Sequence, residues 1–267
     1  LDRLFAVFPT INIFGYTLLP GTEFYGKREE YQIETLPVAG YGKAKGEYVV
    51  GCMSFPIEEG LEGYFLITAH LLMSRGYMMP LTLRYLALSE AVPVAGMMRS
   101  MLHALCAEFS EEIPGLNAAD KMGVYEFREE LFVTSFTYPE RTYQCVQRVA
   151  LQWIEDHMDN NVEAARLKHR VTQLLELDQA FAPHTGATRD VTAHFDFDAN
   201  KVMDTLEGMD LPAAALFAEQ PTEIGIHIPG GVGDIIKDPD GGVWIHAERS
   251  TSKDEHAAKL QPVTVQA

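Results

Sequence analysis

Apolar positions recur at helical spacing through most of the chain up to Phe181, and beyond Pro183 they begin to alternate. The opening run Leu4–Phe14 is almost continuously apolar and reads as a buried strand. It breaks at Tyr16-Thr17-Leu18-Leu19-Pro20-Gly21-Thr22-Glu23, where Thr22 is placed to cap a short charged helix, Glu23–Tyr31. Gly46–Phe55 predicts either a short strand or an extended approach to the next helix, and Pro56 suits a first helical turn. Ile57–Arg75 is apolar on most faces (Leu61, Tyr64, Phe65, Ile67, Leu71, Leu72), which predicts a central buried helix. Further helices are expected over Leu81–Ser89, Val94–Phe109, Ala118–Phe132 with Asn117 as cap, Arg141–His157 and Val162–Phe181. The last two are placed to pair antiparallel about Asp159-Asn160-Asn161.

After Pro183 the pattern predicts strands at Val191–Phe197, Glu223–Ile228 and Gly242–His246, with a helix over Ala199–Glu207. Pro229-Gly230-Gly231 and Asp238-Pro239-Asp240-Gly241-Gly242 supply turn residues. The expected fold class is α+β, mainly α-helical: one buried strand at the start, a helical subdomain and a small C-terminal antiparallel sheet. The expected division is 1–55, 56–182, 183–249 and a disordered polar tail, 250–267. A buried strand needs neighbours on both sides, and here nothing but Leu1-Asp2-Arg3 precedes it, so the chain is expected to be the C-terminal part of something larger.

Composition narrows the partners. A formal net charge of −17 disfavours nucleic acid and anionic membrane surfaces, and Lys43 and Lys45 are too few to make a basic patch. Cys52, Cys106 and Cys145 are odd in number and dispersed, which argues against a disulfide framework and for a reducing compartment. No uninterrupted apolar run long enough to span a bilayer and no leader is visible, so the cytoplasm is the default expectation.

Candidate chemistry is sparse. Pro229-Gly230-Gly231-Val232-Gly233-Asp234 has the glycines of a phosphate loop but not its Lys-Ser/Thr or a following helix, so a hairpin turn is expected. Asp196, Asp198, Asn200, Asp204 and Glu207 fall at calcium-loop positions, yet Lys201 stands where the loop wants glycine; a helix cap at Asp198 or Asn200 competes with that reading. His194, His227 and His246 sit at comparable points of three expected strands, and three converging imidazoles bind zinc or iron. No ordered cysteine or carboxylate spacing accompanies them, and no metal site is assigned. His70 and His103 are lone histidines on helices. Met73, Met78, Met79, Met97, Met98 and Met101 suit core packing or an adaptable pocket for a flexible organic substrate.

The strand ending in Leu19-Pro20-Gly21-Thr22-Glu23 and running into a short helix resembles the last barrel strand of radical S-adenosylmethionine enzymes, especially those with a cobalamin-binding domain. Glu34-Thr35-Leu36-Pro37-Val38-Ala39-Gly40-Tyr41-Gly42 and Glu58-Glu59-Gly60-Leu61-Glu62-Gly63-Tyr64-Phe65 resemble the helical region that follows the barrel in that family. The resemblance implies bound S-adenosylmethionine near Tyr16, Thr17, Leu18, Leu19, Pro20, Gly21 and Thr22. It also implies a [4Fe–4S] cluster, possible use of cobalamin, and a radical methylation or rearrangement of a small organic substrate. Such a cluster is held by three closely spaced cysteines, which this chain lacks, so the cluster motif lies upstream or never existed. The partner implied is therefore a missing N-terminal part of the same polypeptide, the chain alone being inactive, with the helical region shaping substrate access. Two rivals remain: a non-catalytic helical binding or interaction protein, and a metal-dependent hydrolase using the strand histidines.

Overall fold

A computed structural model describes residues 2–5, 13–37, 46–75, 78–89, 92–158, 161–181, 189–197, 222–228, 234–237, 243–246 and 260–262. The described chain is mainly helical, with small antiparallel sheets. A helical turn, α1 (Asp2–Phe5), leads to a three-stranded sheet of β1 (Thr17–Leu18), β2 (Glu34–Pro37) and β3 (Glu47–Gly51) in the order β1-β3-β2, with α2 (Glu23–Gly26) between the first two strands. The helical body follows: α3 (Ile57–His70), running on as a wider π turn over Leu71–Arg75, then α4 (Pro80–Ser89), α5 (Val94–Glu108), α6 (Lys121–Glu126), α7 (Arg128–Thr137), α8 (Pro139–His157) and α9 (Asn161–Phe181). Beyond it β4 (Arg189–Phe195), β5 (Thr222–Ile228) and β8 (Leu260–Pro262) form a sheet in the order β4-β5-β8. Between β5 and β8 in the chain, β6 (Asp234–Lys237) and β7 (Val243–His246) pair as a ribbon.

One apolar core joins α3, α4, α5, α8 and α9. The six methionines singled out above are all at 0% exposure, which makes them core-fillers and not the lining of an open groove. On α8 the expected stripe is buried at Tyr143, Val146, Ala150, Trp153 and Ile154, while Val149 lies at its margin. The end of β4 and the two residues after it are stitched to the same core by Phe195 and Phe197, both buried; Arg170 of α9 lies 5.1 Å over the Phe197 ring, and His169 pairs with Asp196.

Several expectations meet a different chain path. The strand expected over Leu4–Phe14 begins instead with Leu4 and Phe5 in α1, and residues 6–12 lie outside the described residues. Helical α1 is held by Asp2, whose carboxylate accepts the Ala95 N–H at 2.8 Å and so caps α5, where Pro93 offers no side-chain cap. Glu34–Pro37, which the resemblance placed in a helical region, is strand β2, because the residue before a proline is driven toward extended backbone. The helix expected over Ala118–Phe132 is two helices meeting at Phe127. Asn117 makes a turn by accepting the Ala119 N–H, and the cap is Asp120, which accepts the Gly123 N–H at 2.9 Å. The expected helix Ala199–Glu207 lies outside the described residues, as do residues 229–233 of the glycine-rich stretch; Asp234 opens β6. Part of the tail expected to be disordered, Leu260–Pro262, is β8.

A buried carboxylate fixes the packing of α4 on α9. Asp178 accepts the Leu81 and Thr82 N–H groups, each at 3.0 Å, and the Thr82 hydroxyl at 2.8 Å. A helix of ten residues thus has its orphan donors satisfied by a side chain nearly 100 positions away. Nearby, the Tyr143 hydroxyl donates to the Met78 carbonyl at 2.6 Å, and burial raises that phenol well above its ordinary value, with the Asp178 charge adding to the effect. Asp178→Ala is expected to cost about 3 kcal/mol by stranding these donors in the core. Urea denaturation checks it, with the exposed Glu155→Ala as a control expected to change stability by less than about 0.5 kcal/mol.

Candidate functional site

The segment carrying the resemblance, Tyr16–Thr22, is held from three directions. Tyr16 faces Val49 in the antiparallel register that continues Thr17↔Tyr48 and Leu18↔Glu47, and the Val49 N–H donates to the Tyr16 carbonyl at 2.9 Å. In such a ladder alternate residues point their backbone groups at the partner. Those of Tyr16 and Leu18 therefore face β3, and those of Gly15 and Thr17 face away from it.

Beneath the sheet lies α3. The Tyr64 hydroxyl is 3.0 Å from both the Tyr16 and the Val49 carbonyls, so one donor bridges the two strands. Tyr64 packs edge-on against Tyr48 and Tyr125, with ring centroids 5.6 and 4.8 Å away. Burial, with the Tyr125 and Tyr48 phenols beside it, holds the Tyr64 phenol far above its ordinary value, so it remains a donor. Gly15 lies directly on the Tyr64 ring, and a Cβ there would collide with it. Gly60, one turn earlier on α3, allows the helix to meet the Val50 carbonyl in the same way.

The turn itself has mechanical reasons for its residues. Gly21 has φ +86°, in the left-handed region that favours glycine. Thr22 donates its hydroxyl to the Leu19 carbonyl at 2.8 Å and accepts the Tyr25 N–H at 3.3 Å, capping α2 as expected. Arg28 reaches both Glu47 carboxylate oxygens, at 3.3 and 3.2 Å, and the Thr35 hydroxyl at 3.2 Å, tying the turn after α2 to the sheet's other face. The Thr35 hydroxyl, then Arg28, holds the Glu47 carboxyl below its ordinary value.

The seven residues therefore differ in what they can offer a ligand. Leu18 is fully buried, and both the Tyr16 carbonyl and the Thr22 hydroxyl are committed within the chain. What remains exposed is the Tyr16 ring, Leu19, Pro20 and Gly21. Phe14 and Phe24 extend that surface, at 77% and 51% exposure, with the Tyr16 and Phe24 rings meeting edge to face at 6.3 Å. Tyr64 reads from the sequence as a core residue of an apolar helix, and no local pattern marks its reach to the Tyr16 and Val49 carbonyls.

Other candidates do not assemble. His227 stands opposite Asp190, four positions from His194 and about 13 Å along the strand. His246 belongs to the separate β6–β7 ribbon. Of the calcium-loop set, Asp196 is exposed and pairs with His169, while residues 198–207 lie outside the described residues. Among the described residues no three His, Cys, Asp or Glu side chains are grouped to hold a metal. Cys106 and Cys145 are buried; burial pushes the Cys106 thiol up to about 12 and raises that of Cys145. Two such thiols and the distant Cys52 do not fit an iron–sulfur cluster, which needs accessible thiolates converging on one point. No helix among the described residues is long and apolar enough to cross a membrane.

No protein-family model matches this chain, and no curated protein is similar to it at a significant level.

Tyr64→Phe keeps the ring packing and deletes the bridging donor, leaving both carbonyls short of a partner. It is expected to cost about 1–2 kcal/mol and to speed exchange of the Val49 amide, read by denaturation and hydrogen-exchange NMR.

Proposed function

We propose that this chain is the C-terminal region of a radical S-adenosylmethionine enzyme, of the cobalamin-dependent kind. In that reading it performs a radical methylation or rearrangement of a small organic substrate together with polypeptide upstream. The observation that supports it is local: an extended segment, a Pro-Gly turn with Gly21 at positive φ, and a helix capped by Thr22 follow one another in the order the resemblance implies. The role of this chain in that reading is positional. Tyr64 and the Thr22 cap immobilise the turn, the Leu19–Gly21 backbone and Tyr16 ring face outward toward S-adenosylmethionine, and the helical body limits substrate access. The cluster and cobalamin are carried by residues outside this chain, since its own cysteines do not fit a cluster.

A non-catalytic interaction protein is the second reading, favoured by the exposed Phe14, Tyr16, Leu19 and Phe24 beside a strand edge that no other described strand covers. Anaerobic visible and electron paramagnetic resonance spectra of the protein expressed with its native upstream sequence separate the two. The enzyme reading expects a reducible [4Fe–4S] signal that changes when S-adenosylmethionine is added. A colourless, cluster-free protein contradicts it and leaves the interaction reading standing.

A further inference from the structure

The three strand histidines do not converge on one point, but they share a different property. Strands β4 to β7 carry three histidines and three acidic residues, and the register sets them opposite one another one to one: His194 opposite Glu223, His227 opposite Asp190 and His246 opposite Asp234. The two basic residues of the same strands, Arg189 and Lys237, stand opposite Ile228 and Val243 instead. A fourth pair closes the end of β4, where His169 of α9 meets Asp196. Residues directly opposite in an antiparallel pair share a face, so opposite charges there attract and like charges repel. Each pair supplies at most two ligands, and the three strand pairs lie about 13 Å apart or in separate sheets, so they suit a proton better than a metal.

Little around the pairs offsets them. On the β4–β5 face that holds two of them, the positions between are Thr192 and Gly225, and β8 sets Gln261 opposite Gly225, so the strands place no further charge there among the described residues. Packed against β5 is α9, where Asp178 is committed to α4, Arg166 and Lys168 pair with Glu163 and Glu155, and Arg170 lies over the Phe197 ring. Glu176 is the remaining charge near His169; burial raises its carboxyl, and the His169 charge opposes that rise. Against β7 lies α7, which brings Arg128, Glu129 and Glu130, the first two paired with each other. We infer that the C-terminal strands form a pH-sensitive device, in which the pairing of the strands and the hold of β4 on α9 tighten on acidification through the histidine range and loosen toward about pH 8. Imidazole as a class gains its charge between about pH 8 and 5. A protonated histidine has a carboxylate fixed opposite it in the paired strands and none in the open chain, so the added stability is present on the acid side and is lost as pH rises. Below about pH 4 carboxylates take up protons in turn, and the pairing weakens again. The device is separate from the cluster chemistry proposed above and stands whether or not a cluster is found.

Amide hydrogen exchange of the whole chain tests it, read by mass spectrometry at about pH 5.5 and about pH 8 with labelling times scaled for the intrinsic rate. Peptides over β4 and β5 are expected to lose about tenfold in protection at the higher pH, while those over α5 and α8 change by less than about twofold. The double variant Asp190→Asn/Glu223→Gln removes both carboxylates and keeps their size. Its β4 and β5 protection is expected to stay at the level of the unmodified chain at about pH 8 under both conditions, with unchanged α8 protection showing that the body has folded. Should the variant lose the strands altogether, about 1 M potassium chloride on the unmodified chain supplies the same comparison, since salt screens the pairs and is expected to cancel most of the pH effect. Equal protection at the two pH values, stronger protection at the higher one, no protection at either, or a pH effect that survives both the variant and the salt would each overturn the inference.

Discussion

The close seating of α3 on β3 is the constraint on which the rest of the N-terminal half depends. Gly60 lets the helix backbone reach the Val50 carbonyl, and one turn later the Tyr64 hydroxyl bridges the carbonyls of Tyr16 and Val49. Two carbonyls 33 positions apart in the chain thus share one buried donor. Because Gly15 has no Cβ, the strand can lie flat on the same ring. The pose of the Leu19–Thr22 turn follows from this contact, since the turn is the continuation of the strand that Tyr64 holds.

A second buried anchor does the same for the helical body. Asp178 on α9 supplies the cap that α4 lacks, and the methionine-rich interior between α3, α4 and α5 closes over it without an exposed face. Glu62 links the two halves. Burial opposes its charge, but Lys121 on α6 and Arg99 on α5 more than offset that and leave its carboxyl below the ordinary 4.5. The result is a helical body packed on one face of a small sheet whose β1 edge no other described strand covers.

Most of the helices were legible because their apolar positions repeat over several turns, as on α5 and α8. The misses have local causes. Leu4–Phe14 reads as a strand by hydrophobicity alone, while its actual start is decided by a carboxylate, Asp2, capping a helix 93 positions on. β2 is only four residues, mostly exposed, and has no alternation to detect. At Phe127 one apolar pattern spans two helices, since the side chains keep their spacing across the break. Of the candidate site, the Thr22 cap and the Gly21 turn were visible as local chemistry. Tyr64 and Asp178 were not, because both act on backbone far away in sequence.

The central claim is that Tyr64 firmly holds a strand whose outer edge no other described strand covers, and residue-resolved amide hydrogen exchange on the chain alone tests it most directly. The Val49 amide, bonded to Tyr16, should exchange at least about a hundredfold more slowly than those of Gly15 and Thr17. Uniformly fast exchange would mean that Tyr64 does not hold the strand, and Gly15 and Thr17 protected as well as Val49 would mean that the edge is already closed.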